Sequence, residues 1–194
     1  MNGYLQKMRG QGQSPPRVSL SEVCWSWLGS FLGIAAVALL HYKLLDQQGL
    51  MLLLGSFGAS AVLIYGAVRS PLAQPRNLLG GHILSAVIGV TAFQWLGNNP
   101  WLAAAVAVST SIALMHLTRT LHPPGGATAL IAVIGGQSVH KLGYLYVVMP
   151  VALGACIMLV VALVVNNIPK TRKYQSSGCS EKSCFKLRRD TIAT

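Results

Sequence analysis

The stretch His122-Pro123-Pro124-Gly125-Gly126-Ala127-Thr128 holds the residue types and spacing that come closest to a chemistry. Proline suits the first turn of a helix, where its missing amide proton would have no partner, so Pro123 and Pro124 predict a helix start. The amides of Gly125, Gly126, Ala127 and Thr128 are then expected to point outward without partners. Such a helix end carries about half a positive charge and receives anions, and glycine lets a ligand come close to the backbone. The competing reading is a plain capped span whose Gly-Gly serves helix packing. A sister segment, Gln74-Pro75-Arg76-Asn77, leads into Gly80-Gly81-His82 and also starts a span with proline. Its Arg76 adds a guanidinium fork that can give two parallel hydrogen bonds to an oxyanion. As a topology signal alone, Arg76 would look the same.

Gly55-Ser56-Phe57-Gly58-Ala59-Ser60 is a run of small residues broken by one aromatic. It reads either as a helix-packing surface or as a locally unwound segment in which Ser56 and Ser60 line a polar path. Ser109, Thr110 and Ser111 lie at the equivalent depth of another span, so opposed hydroxyls are expected to form an uncharged passage. No Asp or Glu occurs between Asp46 and Glu181. A cation or proton-coupled transporter usually keeps an intramembrane carboxylate as counter-charge, so cation transport is disfavoured. The ionisable groups that remain are His82, His116 and His122, each able to take a proton near neutral pH and follow an anion. A lone histidine near an interface is otherwise a structural residue; His122 stands out because of its neighbours. There is no His-Glu-x-x-His, Gly-x-Ser-x-Gly, phosphate loop or pair of intramembrane carboxylates, so no catalytic residues, no cofactor and no enzyme are expected. Cys24 and Cys156 fall inside apolar stretches, and Cys179 and Cys184 alone make a weak zinc signal, so no metal site is assigned.

These residues must be positioned by membrane helices. Of 194 residues, 53% are apolar and 10% charged, against about a quarter charged in soluble domains. A soluble globular protein is excluded, and with it a nucleic-acid reading of the net charge of +11. Six apolar stretches, at 23–42, 50–68, 78–96, 101–117, 121–139 and 144–165, approach the ~20 residues that cross a ~30 Å hydrocarbon core. The fifth has only about a dozen strongly membrane-compatible residues and reads as either a span or a re-entrant hairpin. With six crossings, thirteen of the fifteen Lys and Arg fall on one side and only Lys43 and Lys141 on the other. Positive residues gather on the cytoplasmic side, so six crossings with both termini cytoplasmic are expected. Arg69 and Arg119 serve there as orientation determinants.

The fold class is an all-α polytopic transmembrane bundle. Residues 1–20 form a polar leader, 21–168 the transmembrane domain, and 169–194 a basic, Ser-rich tail expected to lie disordered along anionic lipid. An internal repeat is expected between spans two and three and spans four and five. Leu72-Ala73-Gln74-Pro75, Gly80-Gly81 and Ala86-Val87-Ile88-Gly89 echo Leu121-His122-Pro123-Pro124, Gly125-Gly126 and Ala132-Val133-Ile134-Gly135. The competing reading is chance similarity of simple membrane sequence. Six spans with short loops leave no room for a soluble domain of ~100 residues. The protein is read as integral and multi-pass, in the plasma (inner) membrane if bacterial.

The segments His122-Pro123-Pro124-Gly125-Gly126-Ala127-Thr128-Ala129, Gly55-Ser56-Phe57-Gly58-Ala59-Ser60 and Ser70-Pro71-Leu72-Ala73-Gln74-Pro75-Arg76-Asn77, in their order along the chain, resemble the HPP family of integral membrane proteins. The resemblance covers about residues 25–165. It implies a core of four membrane helices, fewer than the six stretches counted above, and the CBS domains that some relatives carry are not expected in this sequence. Some chloroplast and cyanobacterial relatives are implicated in nitrite transport, which the resemblance extends to this chain as an expectation. The leading reading is a small-anion transporter or channel, nitrite first, using proline-started helix ends. Its substrate-binding residues would be His122, Pro123, Pro124, Gly125, Gly126, Arg76, Gln74, Ser56 and Ser60. At about 20 kDa the chain is expected to need a homo-oligomer to enclose a pathway. The alternative is a non-transporting scaffold or regulatory subunit whose basic tail binds lipid or a partner.

Overall fold

The computed structural model describes residues 17–45 and 54–174. Among these residues every regular element is helical. They are α1 Leu20–Leu40, α2 Gly55–Ala61, α3 Pro75–Leu96, α4 Pro100–Leu117, α5 Pro123–Ile134, α6 Gly136–His140 and α7 Leu153–Val165. Short π-helical turns extend α1 (His41–Leu45), extend α2 (Val62–Gly66) and precede α7 (Val147–Ala152). Local chemistry sets the starts. Ser19 caps α1 by accepting a hydrogen bond from the Glu22 amide at 3.2 Å, and α3, α4 and α5 each begin with a proline at the first helical position, where its ring costs no hydrogen bond.

The six apolar stretches are unequal. Leu20–Lys43, Pro75–Leu96, Pro100–Leu117 and Val147–Val165 are long and apolar enough to cross a bilayer, whereas Gly55–Gly66 and Pro123–Ile134 are shorter apolar helices. Twelve residues rise only about 18 Å, well short of the ~30 Å core. The fifth stretch was expected to be short. The second was expected to be an ordinary span, and here the structure differs: its helix begins only at Gly55, in a run of Gly and Ser that favour helix weakly. Residues 50–53 of that stretch lie outside the described residues.

Successive segments alternate in direction. One end of the bundle gathers the start of α1, the end of the α2 segment, the starts of α3 and α5, and the ends of α4 and α7. Arg69 Nη2 donates to the Thr171 carbonyl (2.8 Å), Arg76 Nη2 to the Thr118 carbonyl (2.9 Å), and Asn77 Nδ2 to the Leu121 carbonyl (2.8 Å). Arg172 binds Glu22 at 2.8 Å and also reaches Ser26 and Asn166. Tyr174 Oη donates to the Ala73 carbonyl at 2.8 Å. The first residues of the stretch assigned to the basic tail thus pack on the bundle, while residues 175–194 lie outside the described residues.

Small residues set how closely the helices approach. A Cβ added to Gly89 would lie 2.6 Å from the Ala129 carbonyl oxygen, one on Gly81 2.5 Å from His122 Cβ, and one on Gly125 2.8 Å from the Gly81 carbonyl oxygen. The α3–α5 interface therefore brings the repeated Gly-Gly pairs together, which helices achieve in lipid through close van der Waals contact. Gly154 makes the same kind of room for the Phe57 ring, and Gly29 and Gly33 for Tyr65.

Candidate functional site

At the crossing of α2, α3 and α5 lies a buried polar centre. Ser56 and Ser60 come from α2, His82 from the second turn of α3, His122 from the residue that caps α5, and Thr128 from inside α5. All five are buried. Their places follow from helix periodicity, since Ser56 and Ser60 are four residues apart and so share one face of α2.

The contacts form a single chain. Ser60 Oγ lies 2.7 Å from His82 Nε2 and 2.9 Å from His122 Nε2. His82 Nδ1 lies 2.7 Å from Thr128 Oγ1, and Thr128 Oγ1 donates towards Ser56 Oγ (3.0 Å) and the Pro124 carbonyl (3.3 Å). At the far end, His122 Nδ1 is 2.9 Å from the Leu72 carbonyl oxygen. A carbonyl only accepts, so His122 carries its proton on Nδ1 and presents Nε2 to Ser60. Tyr146 Oη donates to the Thr128 carbonyl (3.0 Å), and the Phe57 ring meets His82 edge-on with centroids 5.4 Å apart. The two imidazole centroids are 5.0 Å apart.

The centre sits below the basic end. His82 is seven residues beyond Pro75, or about 10 Å along the axis. Among the described residues the only acidic side chain is Glu22, held by Arg172 at that end. Nor do the described residues hold a group of three or more His, Cys, Asp or Glu able to bind a metal. The centre offers hydrogen bonds and imidazole nitrogens, and no fixed charge.

The expected site residues divide. His122, Ser56 and Ser60 converge in this centre. Pro124 contributes its carbonyl to Thr128, and Gly125 serves the helix contact described above. Pro123 and Gly126 line an apolar groove of about 590 Å³ with Val108, Ile112, His116 and Leu130. Arg76 is exposed at the basic end, bonded to the Thr118 carbonyl. Gln74 Nε2 ties the Val68 and Ser70 carbonyls, bracing the turn that carries Leu72.

One expectation is corrected by counting donors. A helix leaves only its first four N–H groups unpaired, and Pro123 and Pro124 have none. The Gly125 amide donates to the His122 carbonyl at 2.8 Å, and Ala127 and Thr128 are already far enough in for ordinary helix bonds. The expected row of four outward-pointing amides is therefore lost at Gly125, Ala127 and Thr128. Nor do opposed hydroxyls meet: Ser111 Oγ donates to the Ala107 carbonyl and Ser109 Oγ to the Val106 carbonyl of their own helix. The partners that sequence reasoning did not include among the site residues are His82, Thr128 and the Leu72 carbonyl. His82 had a signal, being an ionisable residue inside a span.

The sequence matches the family profile described as HPP, transmembrane region, over residues 15–175. Two proteins of Dictyostelium discoideum, each named a transmembrane protein, are 49% identical over 174 residues and 50% identical over 177 residues, covering 88% of this chain in both cases. The chain spans 56% and 61% of the length of these two relatives. No solved structure matches it. With a helical bundle built around its His-Pro-Pro segment and a family match over most of its length, the chain belongs to the HPP transmembrane family.

Proposed function

We propose that the protein is a membrane transporter for a small monovalent anion, with nitrite as the first substrate to test. The observation that carries this reading is the pair of buried histidines joined through Ser60. Ionisable side chains inside a membrane bundle are costly and mark pathways far more often than they serve packing. A centre of hydroxyls and imidazoles without carboxylates suits an anion and offers a cation no counter-charge. Short helices around a buried polar centre are also the architecture in which transporters place a binding site. The enclosed centre is the closed state of such a cycle, and its opening would separate α2 from α3 and α5. Arg76 and its neighbours at the basic end attract anions to the entrance, with that end facing the cytoplasm.

The test is uptake of nitrite into proteoliposomes, with nitrate, formate and chloride as comparators. Selective uptake above protein-free vesicles, lost in His122→Ala and His82→Ala proteins that still fold, supports the reading. Absence of any anion flux through folded, inserted protein overturns it.

A further inference from the structure

We infer that the unit of His82, Ser60 and His122 takes up one proton with each anion, so that the two cross together without net charge. This inference rests on the transport reading and deepens it. Its basis is the number of hydrogens the centre can hold.

Five contacts link Ser56, Thr128, His82, Ser60, His122 and the Leu72 carbonyl. With both imidazoles neutral, these groups supply five hydrogens, one each from Ser56, Thr128, His82, Ser60 and His122. All five contacts are then filled only if every donor points the same way, from Ser56 through Thr128, His82, Ser60 and His122 to Leu72. Thr128 is however placed to donate to Ser56 Oγ and the Pro124 carbonyl. In that arrangement His82 Nδ1 must donate to Thr128, Ser60 can serve only one of the two Nε2 atoms, and the contact to the other lacks a hydrogen. One added proton on either Nε2 completes it. The proton passes between the rings when one Nε2–H gives its hydrogen to Ser60 Oγ while the Ser60 hydroxyl gives its own to the other Nε2. One proton enters the hydroxyl, one leaves it, and no heavy atom moves.

A second proton is refused. Both Nε2–H groups would then point at Ser60 Oγ, and two like charges would stand 5.0 Å apart. The first proton needs a counter-charge too, because an isolated buried cation is strongly disfavoured. Among the described residues the surrounding elements supply none. The turn after α2 brings Tyr65, whose hydroxyl donates to the Met158 carbonyl, and the segment after α6 brings Tyr146, committed to the Thr128 carbonyl. On α3, Arg76 is bonded to the Thr118 carbonyl; on α4, His116 is exposed in the apolar groove; α1 offers Glu22, paired with Arg172. On α7 the titratable residue is Cys156, exposed. The transported anion is thus the counter-charge, and proton and anion each favour the other's binding.

Two measurements test this. In detergent at pH 6.5 with a dilute buffer and a pH indicator, sodium nitrite should cause uptake of about one proton per chain, which sodium chloride at equal ionic strength does not. In proteoliposomes clamped with potassium and valinomycin, nitrite uptake above protein-free vesicles should rise when the outside is made acid and change less than twofold when the membrane potential is reversed. His82→Gln and His122→Gln should abolish the proton uptake, with thermal melting confirming the fold. Nitrite flux that follows the potential and brings in no proton overturns the inference and leaves the transport reading standing. Nitrite-linked proton uptake in detergent without flux keeps the proton site and removes the transport reading. Neither signal overturns both.

Discussion

His82 and His122, forty residues apart in the sequence, face one another with ring centroids 5.0 Å apart and both Nε2 atoms on the same hydroxyl. Neither ring alone would be remarkable near a membrane interface, but the pair turns two polar side chains into one unit. Closing it requires α3 and α5 to come close enough for Gly81 to touch His122.

The bridge is the most sensitive point. Ser60→Ala removes the one hydroxyl that lies between both imidazoles and leaves two buried nitrogens facing a methyl group. An unsatisfied buried polar group costs about 1–3 kcal/mol, so the variant should melt several degrees lower in detergent and lose nitrite uptake. Ser60→Thr keeps the hydroxyl, and its extra methyl must fit a packed centre, so partial recovery of uptake is expected.

At the helix contact, substitutions should separate by available space. A Cβ at Gly89 falls 2.6 Å from the Ala129 carbonyl oxygen, while one at Gly58 meets nothing within 4 Å. Gly89→Ala should therefore lower stability by about 1–3 kcal/mol through overpacking. Gly58→Ala should be neutral or slightly stabilising, since alanine favours helix over glycine by about 1 kcal/mol. Equal melting shifts for the two variants would contradict the packing argument.

Several of these features were legible in the residues. Pro75 and Pro123 mark helix starts in the chain and begin α3 and α5 in the structure, because ring closure acts locally and needs no tertiary information. The all-α membrane class followed from apolar length and the shortage of charge. The pairing of His82 with His122 was not legible, since it depends on how α3 crosses α5, and no spacing in the sequence encodes that. The expectation of free amides after Pro123 failed for a countable reason: two of the four unpaired positions are prolines. Ser111 was misplaced because a serine in a helix can satisfy itself on the carbonyl four residues back, as it does on Ala107.

Arg172 and Glu22 pin the end of α7 to the start of α1. The Arg172 side chain is almost wholly buried and Glu22 is about a quarter exposed (2% and 28%). A partly exposed pair is worth less than a fully buried one, so Arg172→Ala should cost about 1–3 kcal/mol, chiefly through the partners left at Glu22, Ser26 and Asn166. Glu22→Gln keeps a hydrogen-bond acceptor for the guanidinium and should cost less. Chemical or thermal unfolding in detergent orders the two variants.

Tyr174 gives a pH test outside the spans. Burial holds its phenol above the ordinary value of 10.0, because leaving water penalises the charged form, and its hydroxyl proton is given to the Ala73 carbonyl. The neutral form is thus favoured by docking. The folded value lies above the unfolded one, so this contribution is fully present below pH 10 and is lost as pH rises past 10 towards the folded value. Ala73 adjoins Leu72, whose carbonyl holds His122, so release of Tyr174 should loosen the turn beneath the histidine pair. In the ultraviolet difference between the wild type and Tyr174→Phe, one phenol should ionise later than a free tyrosine. The Phe variant should keep the ring packing, lose only the bond to Ala73, and show no corresponding loss of stability above pH 10. A Tyr174 that ionises like the free amino acid would mean that the segment after α7 does not dock as described.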